Sequence, residues 1–115
     1  MIKMKAIYFE GDKGETPTER EIPEDLVQLC KDKKLELIAA LAEHDPTIEE
    51  YYLNEDINVP VDVMKKSIRK LTIEQKFCPV FMGSAYKNKG VQPLLDGVID
   101  YLPNPTEITN VAYDL

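Results

Sequence analysis

Reactive side chains are scarce in this chain. Its 115 residues include two serines, Ser67 and Ser84, one histidine, His44, and two cysteines, Cys30 and Cys78. His44 falls near a predicted helix end with no nucleophile or second ligand beside it, so an activated-nucleophile hydrolase has no candidate. The phosphate-loop, HExxH, GxSxG and GxGxxG patterns are all missing. The cysteines share no CxxC or Cys/His spacing, so neither a zinc site nor a disulfide framework is expected. Both stand among apolar residues and read as reduced core thiols, suited to a reducing compartment. No apolar run reaches the length of a membrane-spanning helix. The N-terminus turns charged early and has no small-residue cleavage pattern, so no secretory signal is expected. Carboxylates are plentiful, but a small enzyme built on Asp and Glu needs a pocket around one of them, and the spacing suggests none.

What is present is enough for one domain. Apolar residues make up 43% of the chain and charged residues 30%, which supplies both a core and a surface. The net charge is −7. It is unevenly placed, since residues 1–60 hold 15 acidic against 7 basic side chains and the rest is nearly balanced. An acidic first half repels nucleic acid, so no direct DNA binding is expected, and it favours a basic protein partner.

The pattern along the chain predicts a small α+β unit. "MKAIYFE" is β-branched and aromatic and ends at "GDKG", a strand followed by a turn. "TEREI" is a short partner strand, and "GDKGETPT" between them is long enough for a mobile loop. Pro23 opens a helix with Glu24 and Asp25 in its first turn, and Asp45-Pro46 stops it near His44. On its apolar stripe lie Leu26, Leu29, Cys30, Leu37, Ala40 and Leu41. "TIEEYYLN" is a second short helix with Thr47 as its cap. Residues 61–75 form a third, with Val61, Met64, Ile68 and Leu71 inward and Lys65, Lys66, Arg69 and Lys70 as a solvated basic flank. "CPVFMGSA" (78–85) reads as a strand buried on both faces. A last helix follows, with Val91, Leu94, Leu95, Val98 and Leu102 as its stripe and Pro103 at its end. The tail from residue 104 is extended. A strand buried on both faces needs parallel neighbours, and this chain offers too few. Either a small mixed sheet forms, with three to four packed helices, or the piece belongs to something larger.

Two features stand apart from packing. The outer face of the first helix gathers Gln28, Asp32, Leu35, Glu36, Ala39 and Glu43, a small apolar centre framed by acidic groups. Such a face is either ordinary solvated surface or a docking site for a basic partner. The second is "GSAYKNKG" (83–90), at the C-terminal end of a predicted buried strand, where open α/β sheets bind ligands. Its small residues either pack a tight strand-to-helix connection or let backbone N–H groups reach a ligand.

"KAIYFEGDKGE", "EIPEDLVQL" and, above all, "PVFMGSAYKNKGVQPLLDGVIDYLPNP" resemble elongation factor G, the translocation GTPase of bacterial and organellar ribosomes. The resemblance covers essentially the whole chain. It implies a fragment of a P-loop GTPase domain, with the G′ insertion at 1–77, the last strand and helix of the GTPase domain at 78–105, and a linker toward the second domain at 106–115. By that likeness Ser84 braces the guanine-specificity loop, Ala85 offers its N–H to the guanine carbonyl, and Tyr86 flanks the base.

The same likeness implies that the outer face of the first helix meets the C-terminal domain of the ribosomal stalk protein. Gln28 is a departure there, since bacterial relatives often carry glutamate. The implied partners are the ribosome, the stalk protein and the rest of the GTPase domain, with no membrane. The implied cofactor is GTP or GDP with Mg in the parent protein. The phosphate loop, both switches and the Asn-Lys-x-Asp motif are missing from this segment, so the fragment is expected to bind no nucleotide measurably, to be catalytically inactive and to hold no metal. The resemblance points to bacterial cytoplasm or mitochondrial matrix. The rival expectation is a stand-alone interaction domain whose acidic helix binds a basic partner, without nucleotide function.

Overall fold

A computed structural model of the chain describes residues 1–11, 14–54 and 56–108. The order of elements is β1 (Ala6–Glu10), β2 (Thr16–Arg20), α1 (Glu24–Ala42), α2 (Pro46–Leu53), α3 (Val61–Ile73) and α4 (Val91–Tyr101). This is a small α+β architecture. Its sheet is one antiparallel pair, with Ala6 opposite Arg20, Tyr8 opposite Thr18 and Glu10 opposite Thr16. Cross-strand charge zips this hairpin, through Lys5 with Glu21, Arg20 with Glu10 and Lys3 with Glu19. Arg20 also lies over the Tyr8 ring, 5.1 Å from its centroid. Asp12 and Lys13, within the loop expected to be mobile, fall outside the described residues, as does the tail from 109 onward.

The core lies among the helices. Ile38, Leu41 and Ala42 of α1 meet Ile48 of α2, Val59, and Met64, Ile68 and Leu71 of α3, with Tyr101 of α4 closing one side. The inward stripe of α3 is therefore the one its periodicity predicts, with Val61 only half-buried. The stripe predicted for α1 is not. Of its six residues only Leu41 is buried, while Leu26, Leu29 and Ala40 are exposed. The buried side runs through Lys34, Ile38 and Leu41, about a quarter turn away at 100° per residue. Only the C-terminal half of α1 has α2 against it, so the leucines of its first turns find nothing to pack on.

Local chemistry sets the boundaries. Pro23 is the N-cap of α1, one residue earlier in role than expected, and the acidic first turn supplies what a side-chain cap does not. The cap of α2 is Asp45 and not Thr47: the Asp45 carboxylate accepts a hydrogen bond from the Thr47 N–H at 3.0 Å, with Pro46 at the first helical position.

The run 78–85 forms no two-faced buried strand. Residues 78–83 are irregular, with Val80 84% and Met82 93% exposed. A strand needs hydrogen-bonding neighbours, and among the described residues the hairpin β1–β2 pairs only with itself. Cys78 is consequently exposed and Cys30 half-buried, so neither thiol is a core residue. The stripe predicted for α4 is likewise uncovered: Leu94, Leu95, Val98 and Leu102 are exposed, and the helix turns Gly97 and Tyr101 inward instead. The Phe81 ring lies over Gly97 and 6.2 Å from Tyr101, which pins the irregular run to α4 at one point.

The α3 flank is not simply solvated. Lys65 pairs with Asp100 of α4 at 2.5 Å, and Arg69 reaches the last turn of α4, while Lys66 and Lys70 remain exposed.

Candidate functional site

The segment 83–90 folds back on itself. The Ser84 N–H donates to the Lys89 carbonyl at 2.8 Å, and the Lys89 N–H returns a bond to the Ser84 carbonyl at 3.0 Å. Inside this closure the Asn88 N–H donates to the Ala85 carbonyl at 3.1 Å, and the Lys87 N–H lies 3.4 Å from Ser84 Oγ. Asn88 takes a left-handed backbone, φ +50, which asparagine tolerates. Gly90 at φ +80 then starts α4. A side-chain carbon on Gly83 would fall 2.7 Å from the Lys89 carbonyl oxygen, and one on Gly90 2.7 Å from that of Met82. The bareness of "MGSAYKNKG" therefore has a steric cause, since the two stems of the loop cross within backbone contact.

Ser84 is half-buried, and Ala85 and Tyr86 are exposed at the tip, Tyr86 at 99%. Among the described residues the Ala85 N–H makes no hydrogen bond. The arrangement is a closed turn in which, among the described residues, the Ala85 and Tyr86 N–H groups are both left free beside an accessible aromatic ring. Among the described residues no three His, Cys, Asp or Glu side chains gather as a metal site.

The second set lies on α1. Gln28, Asp32, Glu36 and Glu43 are exposed, Leu35 is 40% exposed, and Ala39 is half-buried. Gln28 Nε2 donates to Asp32 Oδ1 at 2.9 Å, and the Lys33 ammonium sits 2.8 Å from the Glu36 carboxylate. Lys33 thus shields part of the acidic field that the residue pattern alone presents as unopposed. No hydrogen bond or ion pair among the described residues joins this face to the 83–90 loop, so the structure leaves two separate surfaces.

Two polar features escaped the sequence reading. Asp45 is buried, and burial works to raise its carboxyl, but Ser67, the Thr47 N–H and Lys70 outweigh it and hold the carboxyl below its ordinary value. The Ser67 hydroxyl closes no hydrogen bond of ordinary geometry, so the Thr47 contact is the firm one. Glu107 also titrates low, first through the Asn104 N–H and then through Arg69. An Asp before Pro-Thr was a readable capping signal for the first. Nothing in the spacing signals the second. Two shallow grooves, one against Lys66, Lys70 and Ile73 and one against Phe77, Cys78 and Pro79, lie away from the Ser84–Tyr86 tip. Among the described residues no helix is long and apolar enough to cross a membrane.

A closed, glycine-flanked loop ahead of an amphipathic helix, with exposed apolar residues on both, places the chain in the class of small α+β units with apolar surface left uncovered among the described residues. No family model matches the chain. Curated relatives do. Elongation factor G of Petrotoga mobilis is 48% identical over 115 residues, covering 99% of this chain and 16% of its own length. The mitochondrial elongation factor G-1 of Arabidopsis thaliana is 46% identical over 114 residues, covering 99% of this chain and 15% of its own. Mitochondrial elongation factor G of Culex quinquefasciatus is 47% identical over 112 residues, covering 97% and 15%. The chain belongs to the elongation factor G family, as a fragment spanning about one sixth of the length of the relatives it matches.

Proposed function

We propose that this chain is the G′ insertion (1–77), the closing strand and helix of the GTPase domain (78–105) and the start of the following linker (106–115) of a translational GTPase that drives tRNA and mRNA movement on the ribosome. The observation that carries the reading is the closed 84–89 turn with its free Ala85 N–H, at the end of an apolar run that has nothing to pair with. In the whole protein that run pairs as the last strand of the sheet, and the apolar residues of α4 are covered by the rest of the GTPase domain. Ser84 holds the turn, Ala85 donates to the guanine carbonyl, and Tyr86 lies beside the base. GTP or GDP with Mg is held mainly by the missing part, so the fragment alone neither binds nor hydrolyses GTP. Relatives named from a bacterium and from mitochondria support a cytoplasmic or mitochondrial-matrix setting.

The outer face of α1 is the docking surface for the basic C-terminal domain of the ribosomal stalk protein. Leu35 and Ala39 supply the apolar contact, and Gln28, Asp32, Glu36 and Glu43 the polar frame. Exposed ion pairs contribute only about 0.2–1 kcal/mol each, so the contact is weak and salt-sensitive, as a transient recruiting step requires. The test is an NMR titration of this chain with that domain at low and physiological salt, and separately with GDP. Shifts confined to Asp32, Leu35, Glu36 and Ala39 that weaken with salt support docking. A folded chain that ignores the stalk domain refutes the docking, and a GDP response from the fragment refutes its predicted silence.

A further inference from the structure

Gly14 lies two residues before β2, at the turn end of the hairpin, yet it is buried, and the loop 84–89 from the far end of the chain packs against it. A side-chain carbon on Gly14 would meet the Asn88 carbonyl oxygen at 2.8 Å, the Lys87 carbonyl oxygen at 3.2 Å and Lys89 Cγ at 3.2 Å. The backbone at Gly14 therefore rests on the backbone carbonyls of Asn88 and Lys87, with the Lys89 stem beside them. Gly14 has φ +61 and donates its N–H to the Gly11 carbonyl at 3.2 Å, so the residue is held by its own turn as well.

The loop it touches has little slack. Its stems are crossed at Gly83 and Gly90, and its neck is tied by the Ser84–Lys89 pair. Asn88 and Lys87, the two residues under Gly14, are the ones whose N–H groups bond the Ala85 carbonyl and Ser84 Oγ. A push on their carbonyls is passed directly to Ser84 and Ala85. We propose that Gly14 is a positioning residue: the β1–β2 hairpin braces the 84–89 turn and sets where Ala85 and Tyr86 present themselves to a purine base. The proposal rests on the reading of Ser84–Tyr86 as the guanine edge, and it adds that the insertion's hairpin tunes that edge by backbone contact.

The structure provides its own control. Gly11 also has a positive φ, +93, but a side-chain carbon there meets nothing nearer than the Glu15 N at 3.8 Å. Gly11→Ala strains the same turn without touching the loop. Gly14→Ala adds both strain and collision, and Gly14→Asn, which tolerates a left-handed backbone, adds mainly the collision. In amide NMR spectra of this chain, both Gly14 variants are expected to move the Ser84, Ala85, Asn88 and Lys89 signals. Gly11→Ala is expected to move only those of the hairpin. Equal effects of the Gly11 and Gly14 variants on the loop overturn the brace.

In the whole polypeptide that carries this chain, the Gly14 variants are expected to weaken GDP binding by about three- to tenfold, with Gly11→Ala near wild type. The same protein separates the two levels of argument. An Ala85 amide that does not respond to GDP overturns the guanine reading and the inference with it. An Ala85 amide that responds, with Gly14 and Gly11 variants binding GDP equally, overturns the inference alone.

Discussion

Arg69 Nη2 lies 2.6 Å from Glu107 Oε2, while its Nη1 donates to the carbonyls of Ile99 and Asp100, each at 3.1 Å. Helix α4 has no basic residue in its own last turn, so the cation that its C-terminal carbonyls call for comes from α3. The same guanidinium fastens the segment after Pro103, where the Glu107 carboxylate also accepts the Asn104 N–H at 2.7 Å. Arg69→Leu is expected to destabilise the chain by about 1.5–3 kcal/mol, the range for hydrogen bonds to charged groups. Glu107→Gln should cost less and act on the tail alone. Urea midpoints measure the first, and amide relaxation of residues 103–107 the second.

Asp45 makes acid stability a local matter. Its carboxyl is held below the ordinary value of 3.8, so the ionised form stabilises the fold fully above that value. The contribution disappears as pH falls through the lower folded value. Asp45→Asn keeps a capping side chain and loses the charge, so its stability should fall short of wild type near neutrality and converge with it in acid. Asp45→Ala should cost a further ~1 kcal/mol at all pH values, through the lost cap. Chemical denaturation across the acid range checks both.

Gly97 sets helix propensity against packing. Alanine at this helical position should gain up to about 1 kcal/mol. Its methyl group, however, would enter the space held by the Phe81 ring. Phe81 belongs to an irregular, largely exposed run, so the ring can move aside. Gly97→Ala is therefore expected to leave thermal stability nearly unchanged while releasing residues 78–82 from α4. Loss of the nuclear Overhauser contacts between Phe81 and Tyr101 is the signature.

On α1, Leu35→Glu should abolish stalk-domain binding while changing stability by no more than about 0.5 kcal/mol, since the residue is exposed and outside the core. Lys33→Glu should reduce the shielding of Glu36 and strengthen binding at low salt. The paired titration is the check, and equal binding by Leu35→Glu and wild type counts against the docking face.

Local signals were readable in this sequence wherever the partner was also local. The α3 stripe Met64–Ile68–Leu71 was correct because its cover, Ile38, Leu41, Ile48 and Tyr101, lies within this chain. The hairpin was readable from Ile7, Tyr8 and Phe9 and the glycines that follow. Failures cluster where packing depends on what is not nearby. Leu26 and Leu29 have the right period for a core, and nothing covers them. Val80 and Met82 have strand composition, and among the described residues no strand lies beside them. Periodicity reports which residues can be buried together, and the neighbour decides which are. The 83–90 loop was legible as a place of close backbone approach, while Gly14, one of the approaching groups, lies about seventy residues away in sequence and carries no local signal of the contact.

Among the described residues the buried apolar cluster runs from Ile38 to Leu71 and adds Tyr101 from the last helix. A nucleus drawn from so short a stretch has low contact order and can close quickly, while its ribosome is still making the residues that follow. Phe81 and Tyr101 hold the later stretch to that nucleus at one edge, and its other apolar residues, Val80, Met82, Leu94, Leu95, Val98 and Ile99 among them, stay in water. On its own this chain is therefore lopsided: one part encloses its own apolar surface, and the other is a standing invitation to association.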